Sequence, residues 1–175
     1  MGKMPSPPPA ACSNDALRKA TRRLGQLYDE ALQPSGLRAT QFGLLRHIKR
    51  LNAPTITELA DELVMDLSAL GHTLKPLARD GYVVLTSDAR DRRAKRVNLT
   101  AVGEAKVAET DLLWRVAQTR FETAFGPRKA EKLRKALALL ASSDFSEAFL
   151  SATKINRKGL PSGPHGRSEP AKTGI

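Results

Sequence analysis

SDARDRRAKRVNLT, residues Ser87 to Thr100, is the segment from which the architecture of this chain can be predicted. It follows the apolar run YVVL and closes with the alternating RVNLT, so two short antiparallel strands are expected at about 82–86 and 96–100. The turn between them and its far edge are dense in cations: Arg90, Arg92, Arg93, Lys95 and Arg96, beside only Asp88 and Asp91. A turn needs few special residues, so this charge indicates an anionic partner outside the chain.

Helical periodicity dominates the rest of the chain. Thr55 and Glu58 have capping-box spacing, and Asp66 is placed to cap a following helix that Gly81 ends. The expected helices span about 15–32, 40–51, 55–63, 66–80, 101–125 and 128–149. Two short helices joined tightly and followed by a hairpin describe a winged helix-turn-helix, so the predicted fold class is mainly α with a small β-hairpin wing.

The helix after Asp66 has two different faces. Leu70, Leu74 and Leu77 recur at i, i+4 and i+7 and are expected to pack inward, which places Ser68, His72 and Lys75 on the opposite face. Hydroxyl, imidazole and ammonium groups on a helix that fits the major groove can reach base edges or phosphates. The alternative is that these three side chains only solvate an outer face.

The basic turn suits the minor groove, where guanidinium groups meet concentrated negative potential. In this interpretation the two aspartates hold the cations rather than cancel them, and a side-chain pair between Asp91 and Arg93 would fix the direction of the guanidinium group. The alternative is a solvated charged turn with no partner.

The composition narrows the possible partners. A net charge of +11 and a pI near 10.2 over 175 residues favour nucleic acid first and an anionic membrane surface second. No apolar run approaches the roughly eighteen residues that span a bilayer, and no signal-peptide segment begins the chain. No membrane partner and a cytoplasmic location are therefore expected. The single cysteine, Cys12, excludes an intrachain disulfide framework.

Catalysis is not expected from this sequence. His47, His72 and His165 lie in unlike segments, and no zinc-protease motif, phosphate-binding glycine loop or thiolate zinc spacing occurs. Neither a metal nor a cofactor is predicted. Residues 1–12 and 151–175 are rich in proline, glycine and polar residues, so they are expected to be disordered tails around one folded block at 13–150.

Several segments resemble the MarR family of bacterial transcription regulators. DARDRRAKRVNLTAVGEA matches the wing pattern D-x-R-D-x-R followed by L-T-x-x-G, and LARDGYV resembles the end of the recognition helix. LRATQFGLL and ITELADEL are similar to the second and third helices of the family. The resemblance covers roughly residues 14–148.

The resemblance implies an assembly and a set of DNA contacts. Family members are usually homodimers, so the DNA-binding lobe would span about 38–100 and the dimerisation helices about 15–32 and 101–149. A twofold dimer would read an inverted-repeat operator on double-stranded DNA, in a nucleoid-associated bacterial protein. By position, Ser68 and His72 would contact the major groove and Lys75 a phosphate. The implied wing contacts centre on Arg93 in the minor groove, with support from Arg90, Asp91, Arg92 and Lys95.

The resemblance also implies a regulatory signal, for which two alternatives stand. Many family members are repressors released by small phenolic or aromatic effectors, and here Tyr28, Phe42, His47 and Trp114 are candidate pocket residues, although such aromatics are more often core. A peroxide-sensing branch uses a reactive cysteine near the first helix, which makes Cys12 a candidate redox residue. That branch's cysteine aligns near Asn14, however, so an unreactive tail cysteine is the alternative. A third alternative function is a winged-helix nucleic-acid-binding module without sequence specificity.

Overall fold

The computed structural model describes residues 12–91 and 93–155. A short 3-10 helix at Gln33–Ser35 follows the first α-helix. In chain order the elements are α1 (Ser13–Leu32), α2 (Ala39–Leu51), α3 (Ile56–Glu62), α4 (Leu67–Arg79), β1 (Val83–Ser87), β2 (Lys95–Leu99), α5 (Ala101–Phe125), α6 (Pro127–Leu140) and α7 (Ser143–Ile155). The predicted fold class, mainly α with a β-hairpin wing, is confirmed. The chain forms two compact units, one ending at Pro127 and the other beginning at Arg128.

Side-chain caps begin both helices of the helix-turn-helix pair. Thr55 Oγ1 accepts a hydrogen bond from the Glu58 amide at 3.1 Å, and Glu58 Oε2 accepts one from the Thr55 amide at 2.7 Å. Asp66 Oδ1 accepts one from the Ala69 amide at 2.7 Å. Each cap satisfies amides that the first turn of a helix leaves without partners. The predicted capping box and the Asp66 cap are therefore confirmed.

The core of the first unit lies under α2, α3, α4 and the hairpin. Leu70 and Leu77 of α4 are fully buried and Leu74 is 3% exposed, as the i, i+4, i+7 spacing predicts. They pack with apolar side chains from the neighbouring elements, including Leu32, Phe42, Leu45, Ile48, Leu59, Val83, Val97 and Val107. This core fixes which face of α4 is left for solvent.

The hairpin pairs Val83 with Leu99 and Ser87 with Lys95 in an antiparallel register. Its second strand also bonds outside the hairpin, because the Val97 amide donates to the Pro54 carbonyl at 2.8 Å. The segment before α3 therefore lies along β2, and the wing is attached to the helix-turn-helix by backbone hydrogen bonding.

Thr100 and Gly103 attach the other end of the wing to α5. Thr100 Oγ1 donates to the Gly81 carbonyl at 2.6 Å and accepts from the Gly103 amide at 3.0 Å, which caps α5. A Cβ atom on Gly103 would lie 2.0 Å from the Tyr82 carbonyl oxygen. Only glycine permits this close approach of helix to backbone, which gives a physical reason for the L-T-x-x-G spacing.

Two boundaries differ from the predicted ones. The single last helix expected at about 128–149 is wrong, because α6 ends at Leu140 and α7 begins at Ser143. The break occurs at Ser142, whose Oγ accepts a hydrogen bond from the Phe145 amide at 3.2 Å and so caps the start of a new helix. α7 continues to Ile155, so residues 151–155, assigned to the tail, are helical.

The remaining parts of the predicted tails, 1–11 and 156–175, lie outside the described residues. Among the helices that are described, none is both long enough and apolar enough to cross a membrane.

We predict that Gly103→Ala destabilises the first unit, because the new methyl group would overlap the Tyr82 carbonyl and force α5 away from the wing. Overpacking of this kind costs about 1–3 kcal/mol in the free energy of unfolding. The matched control is Gly71→Ala in α4, where nothing lies within 4 Å of the added Cβ. That change should be neutral or stabilising by up to about 1 kcal/mol, since alanine is the better helix former. Urea unfolding without DNA measures both, and equal effects would contradict the steric explanation.

Candidate nucleic-acid interface

The outer face of α4 carries the three predicted polar side chains. Ser68, His72 and Lys75 are all exposed, while the leucine face is buried. Arg79, which is not among the predicted contacts, lies one further turn along the same face and is also exposed, with Nε 3.0 Å from Asp80 Oδ1. The i+4 spacing from Lys75 was the signal that would have identified it. The face thus presents two hydrogen-bonding groups near the start of α4 and two cations toward its end.

Asp88 and Asp91 order the backbone of the wing turn. Asp88 Oδ1 accepts hydrogen bonds from the amides of Arg90 at 2.7 Å and Asp91 at 2.9 Å. Asp91 Oδ1 accepts one from the Arg93 amide at 2.9 Å. Short acidic side chains that bond to the backbone a few residues ahead are a common way of fixing a turn.

The expected side-chain pair between Asp91 and Arg93 is a wrong prediction, because Asp91 bonds to the Arg93 amide rather than to its guanidinium group. The aspartate that does pair with a cation is Asp88, which is only 7% exposed and forms an ion pair with Arg96. Arg96 also donates to the Ala53 carbonyl at 2.7 Å. One of the five cations therefore serves to attach the wing to the segment before α3.

The Asp88 carboxylate is strongly stabilised in its ionised form. Hydrogen bonds from the amides of Asp91 and Arg90, followed by the one from Arg96, lower the pKa of Asp88 from 3.8 to about 2. These donors bind the ionised carboxylate more strongly than the protonated acid, so Asp88 is ionised throughout the neutral range.

Arg90 and Arg93 are the exposed guanidinium groups of the turn. No other described residue forms a hydrogen bond or an ion pair with either guanidinium group. Lys95, at the start of β2, donates from Nζ to Ser87 Oγ at 2.9 Å and is also exposed. Arg92, a further predicted contact, lies outside the described residues. The wing thus presents at least two cations whose charge is not taken up by neighbouring carboxylates.

Two cavities lie beside α5 in the first unit. The α2–α5 cavity has a volume of about 700 Å³ and is lined by Gly43, Arg46, His47, Lys49, Arg50, Val107, Ala108, Asp111, Leu112 and Arg115. The α1–α5 cavity, of about 630 Å³, is more apolar and includes Leu24, Leu27, Tyr28, Val116 and Phe121 in its wall. The first lies between α2 and α5, and the second lies between α1 and α5.

The four candidate pocket residues do not surround one cavity, so that grouping is wrong. Tyr28 lines the α1–α5 cavity, where its hydroxyl donates to Gln118 Oε1 at 3.0 Å. His47 lines the α2–α5 cavity, whereas Phe42 is 2% exposed and belongs to the core. Trp114 is half-buried against the core, with the guanidinium carbon of Arg46 4.0 Å from its ring centroid.

Polar contacts across the α2–α5 cavity were not foreseen from the sequence. Arg46 Nε lies 3.7 Å from Asp111 Oδ1, and Asp111 Oδ2 accepts a hydrogen bond from Arg115 Nε at 2.9 Å. Lys49 Nζ lies 2.6 Å from Glu104 Oε2. The two pairs that join α2 to α5, Arg46–Asp111 and Lys49–Glu104, are each more than 50 positions apart in the chain, so spacing gives no signal for them. Together they connect α2 to α5 at two levels.

The environment of His47 favours its uncharged imidazole. Partial burial, followed by the nearby Arg50 guanidinium, lowers the pKa of His47 below its usual value. Its Nδ1 lies 3.1 Å from Arg50 Nη2, and Arg50 also pairs with Glu62 of α3. A neutral imidazole can accept the hydrogen bond from Arg50, so His47 contributes to the contact between α2 and α3.

Cys12 is exposed at the residue before α1 and makes no side-chain cap. Lys19, a cation of α1 that could favour a thiolate at Cys12, forms an ion pair with Asp15 at 2.7 Å. No group of three histidine, cysteine or acidic side chains that could hold a metal ion occurs among residues 12–91 and 93–155.

The chain is similar to a family of known regulators. The sequence model of the MarR family matches residues 35–94, which include α2, the helix-turn-helix and most of the wing turn. The structure of the M. tuberculosis transcriptional regulator MosR in complex with DNA is 35% identical, with a TM-score of 0.67. That match covers 84% of this chain and 99% of MosR.

Two further DNA complexes are similar at lower identity. A mutant of MarR from E. coli, complexed with operator DNA, is 25% identical over 71% of this chain and 90% of MarR, with a TM-score of 0.66. CouR, a transcriptional repressor bound to a 23-mer DNA duplex, is 25% identical over 75% of this chain and 93% of CouR, with a TM-score of 0.69. The likeness thus extends from the helix-turn-helix to helices on both sides of it.

We predict that Asp88 makes stability depend on pH in the acid range. Because its pKa in the folded state is about 2, below the unfolded value of 3.8, the ionised carboxylate stabilises the fold fully above about pH 4. This stabilisation is lost as the pH falls through about 2. The difference in unfolding free energy between wild type and Asp88→Asn should therefore be constant near neutral pH and shrink below about pH 4.

Urea unfolding at several pH values between about 7 and 2 measures this difference. The control is Asp15→Asn, since the Asp15–Lys19 pair is exposed within one helical turn and such pairs add only about 0.5 kcal/mol. A pH-independent difference for Asp88→Asn would show that its carboxylate does not stabilise the wing through its charge.

Proposed function

Because the chain belongs to the MarR family of transcriptional regulators, we propose that it binds double-stranded DNA sequence-specifically as a homodimer and acts as a ligand-responsive repressor. The observation that carries the proposal is that α4 and the wing, both with exposed cations, are attached to each other in the first unit. α4 presents Ser68, His72 and Lys75 on its exposed face, and the wing, bonded to the segment before α3, presents Arg90 and Arg93.

α4 is proposed to enter the major groove. Its first turn, capped by Asp66, points amides and the positive end of the helix dipole toward the groove, which favours a nearby phosphate. Ser68 and His72 lie nearest this end and are assigned to base edges, whereas Lys75 and Arg79, further along, are assigned to the phosphate backbone.

The wing is proposed to enter the adjacent minor groove with Arg93 as its principal contact and Arg90 beside it. Asp88 and Asp91 fix the turn through its amides, so the two guanidinium groups remain available for the negative potential of the groove. Asp91 is therefore a positioning residue for the Arg93 backbone. Lys95, exposed at the edge of β2, is assigned to a flanking phosphate, and Arg92 keeps its predicted role.

Dimerisation is supported by apolar surface that each unit leaves exposed. In the first unit, Leu27 of α1 and Leu112 and Val116 of α5 are 52%, 65% and 51% exposed. In the second unit, Phe149 and Leu150 of α7 are 63% and 64% exposed. Such surface costs free energy in water, and a second copy of the chain is proposed to cover it. A twofold dimer would place two α4 helices about one helical turn apart on an inverted repeat.

The α2–α5 cavity is proposed as the effector site. Its wall combines apolar atoms of Val107 and Leu112 with the cations Arg46 and Arg115, which suits a small aromatic or phenolic molecule with an acidic group. Such a ligand would compete with Asp111 for both arginines and change the position of α2 relative to α5. A ligand that favours the displaced arrangement would lower the affinity for DNA. Thiol sensing through Cys12 is the alternative signal, and non-specific binding is the alternative mode.

We predict that His72→Ala relaxes sequence preference. Operator fragments are first recovered by selecting genomic DNA bound by the wild-type protein, and affinities are then measured for an operator and a scrambled duplex at one salt concentration. Loss of a base-edge contact should weaken operator binding by about 1–3 kcal/mol and leave scrambled DNA nearly unaffected. Lys75→Ala is the matched control on the same face and should weaken both duplexes alike. Equal losses on both duplexes for His72→Ala would exclude it from base reading.

We predict that Arg93→Ala weakens operator binding by about 1–3 kcal/mol while the unfolding free energy is unchanged. Its guanidinium group has no partner among the described residues, so its removal should not disturb the fold. Arg22→Ala, an exposed arginine on α1, is the control with the same change in net charge. Titrations across a range of salt concentrations should show a shallower slope for Arg93→Ala only. The same affinity for both variants would remove the wing from the interface.

A further inference from the structure

Two large apolar side chains are exposed at the corner between α3 and α4. Val64 is 72% exposed and Leu67 is 55% exposed. Together these two side chains form an apolar corner. The other exposed large apolar residues between positions 38 and 100 are Val84 and Leu85, on the wing strand β1. The apolar corner therefore differs from the rest of the helix-turn-helix, where residues of this kind are buried or partly buried.

The apolar corner is held in place by its backbone. The Val64 amide donates to the Asp61 carbonyl at 3.1 Å, and the Met65 amide donates to the Ala60 carbonyl at 2.9 Å. Val64 has a φ of 51°, in the left-handed region, which is unfavourable for a β-branched side chain. A glycine would avoid both the strain and the exposed apolar surface. Two such costs at one place point to a contact that is made outside the monomer.

The position of Leu67 indicates what that contact is. Leu67 is the first residue of α4 and precedes Ser68, so its side chain lies about 100° around the helix from that of Ser68. Leu67 thus lies beside the face formed by Ser68, His72 and Lys75, at the N-terminal end of α4 that is proposed to enter the major groove deepest. On the major-groove edges of the base pairs, the apolar group is the C5 methyl of thymine.

We propose that Leu67 contacts the C5 methyl group of a thymine next to the base pair faced by Ser68, and thereby selects thymine at that position of each half-site. Val64 adds apolar surface beside Leu67. This inference rests on the proposed binding of α4 in the major groove. It adds to that function a specificity determinant that acts through apolar contact rather than hydrogen bonding.

The test removes single methyl groups from the DNA. Each thymine of a selected operator is replaced in turn by deoxyuridine, which retains every hydrogen-bonding group, and affinities are measured for wild type, Leu67→Ala and Leu67→Met. Burial of one methyl group corresponds to about a four-fold change in affinity. Wild type and Leu67→Met should each lose about four-fold at one position in the half-site, and Leu67→Ala should lose nothing there. Val102→Ala, which trims another exposed side chain, should keep the wild-type response.

The outcomes separate this inference from the function on which it rests. If wild type binds the operator specifically but no deoxyuridine position matters, or if Leu67→Ala retains the same sensitivity as wild type, the thymine contact is overturned while the proposed function stands. The inference is also overturned if Leu67→Ala changes the oligomeric state and the wild type binds the thymine and deoxyuridine operators equally. That result would assign the apolar corner to a protein contact. If selection recovers no preferred sequence, both fail.

Discussion

The ion pair between Asp88 and Arg96 is the contact on which the geometry of the basic lobe depends. Asp88 is almost fully buried, so its charge requires compensation, which Arg96 and two turn amides supply. Arg96 also binds the Ala53 carbonyl, and the neighbouring Val97 amide binds the Pro54 carbonyl. The wing is therefore fixed to the segment that begins α3, and the two elements assigned to adjacent grooves keep one relative position.

A second group of polar contacts connects this lobe to the long helices. Asp29 near the end of α1 accepts a hydrogen bond from the Ala39 amide at 2.7 Å, so a side chain of one helix caps another. Arg46 and Lys49 of α2 pair with acidic groups of α5, and Thr100 caps α5 while bound to the Gly81 carbonyl. Most of these contacts lie at helix ends or beside the α2–α5 cavity. Small displacements of α5 would act on α2 and the wing through few bonds, which supports the ligand response proposed for the α2–α5 cavity.

Local rules predicted much of the fold, because many of its elements begin at short motifs. The capping box at Thr55, the cap at Asp66 and the leucine spacing of α4 each depend on residues within about two turns, and all were confirmed. The break between α6 and α7 was missed because the apolar periodicity continues across Ser142. A serine cap is a weaker signal in sequence than the Gly126-Pro127 pair, at which α5 ends and α6 begins. The pocket was misassigned for a different reason: aromatic spacing cannot tell that Phe42 is buried in the core, or that Tyr28 and His47 face different cavities.

In a chain with a net charge of +11, the acidic residues of the wing determine which of its described cations stay unpaired. An aspartate paired with Arg90 or Arg93 would neutralise the charge and hold the side chain away from DNA. Asp88 and Asp91 instead accept hydrogen bonds mainly from backbone amides, which orders the turn and leaves those guanidinium groups unpaired among the described residues. The one cation that Asp88 does bind, Arg96, lies at the base of the wing. The turn is therefore hydrogen-bonded to the fold where it is attached and charged where it is exposed, so the ordering cost of the proposed groove contact falls mainly on the arginine side chains rather than on the bonded backbone.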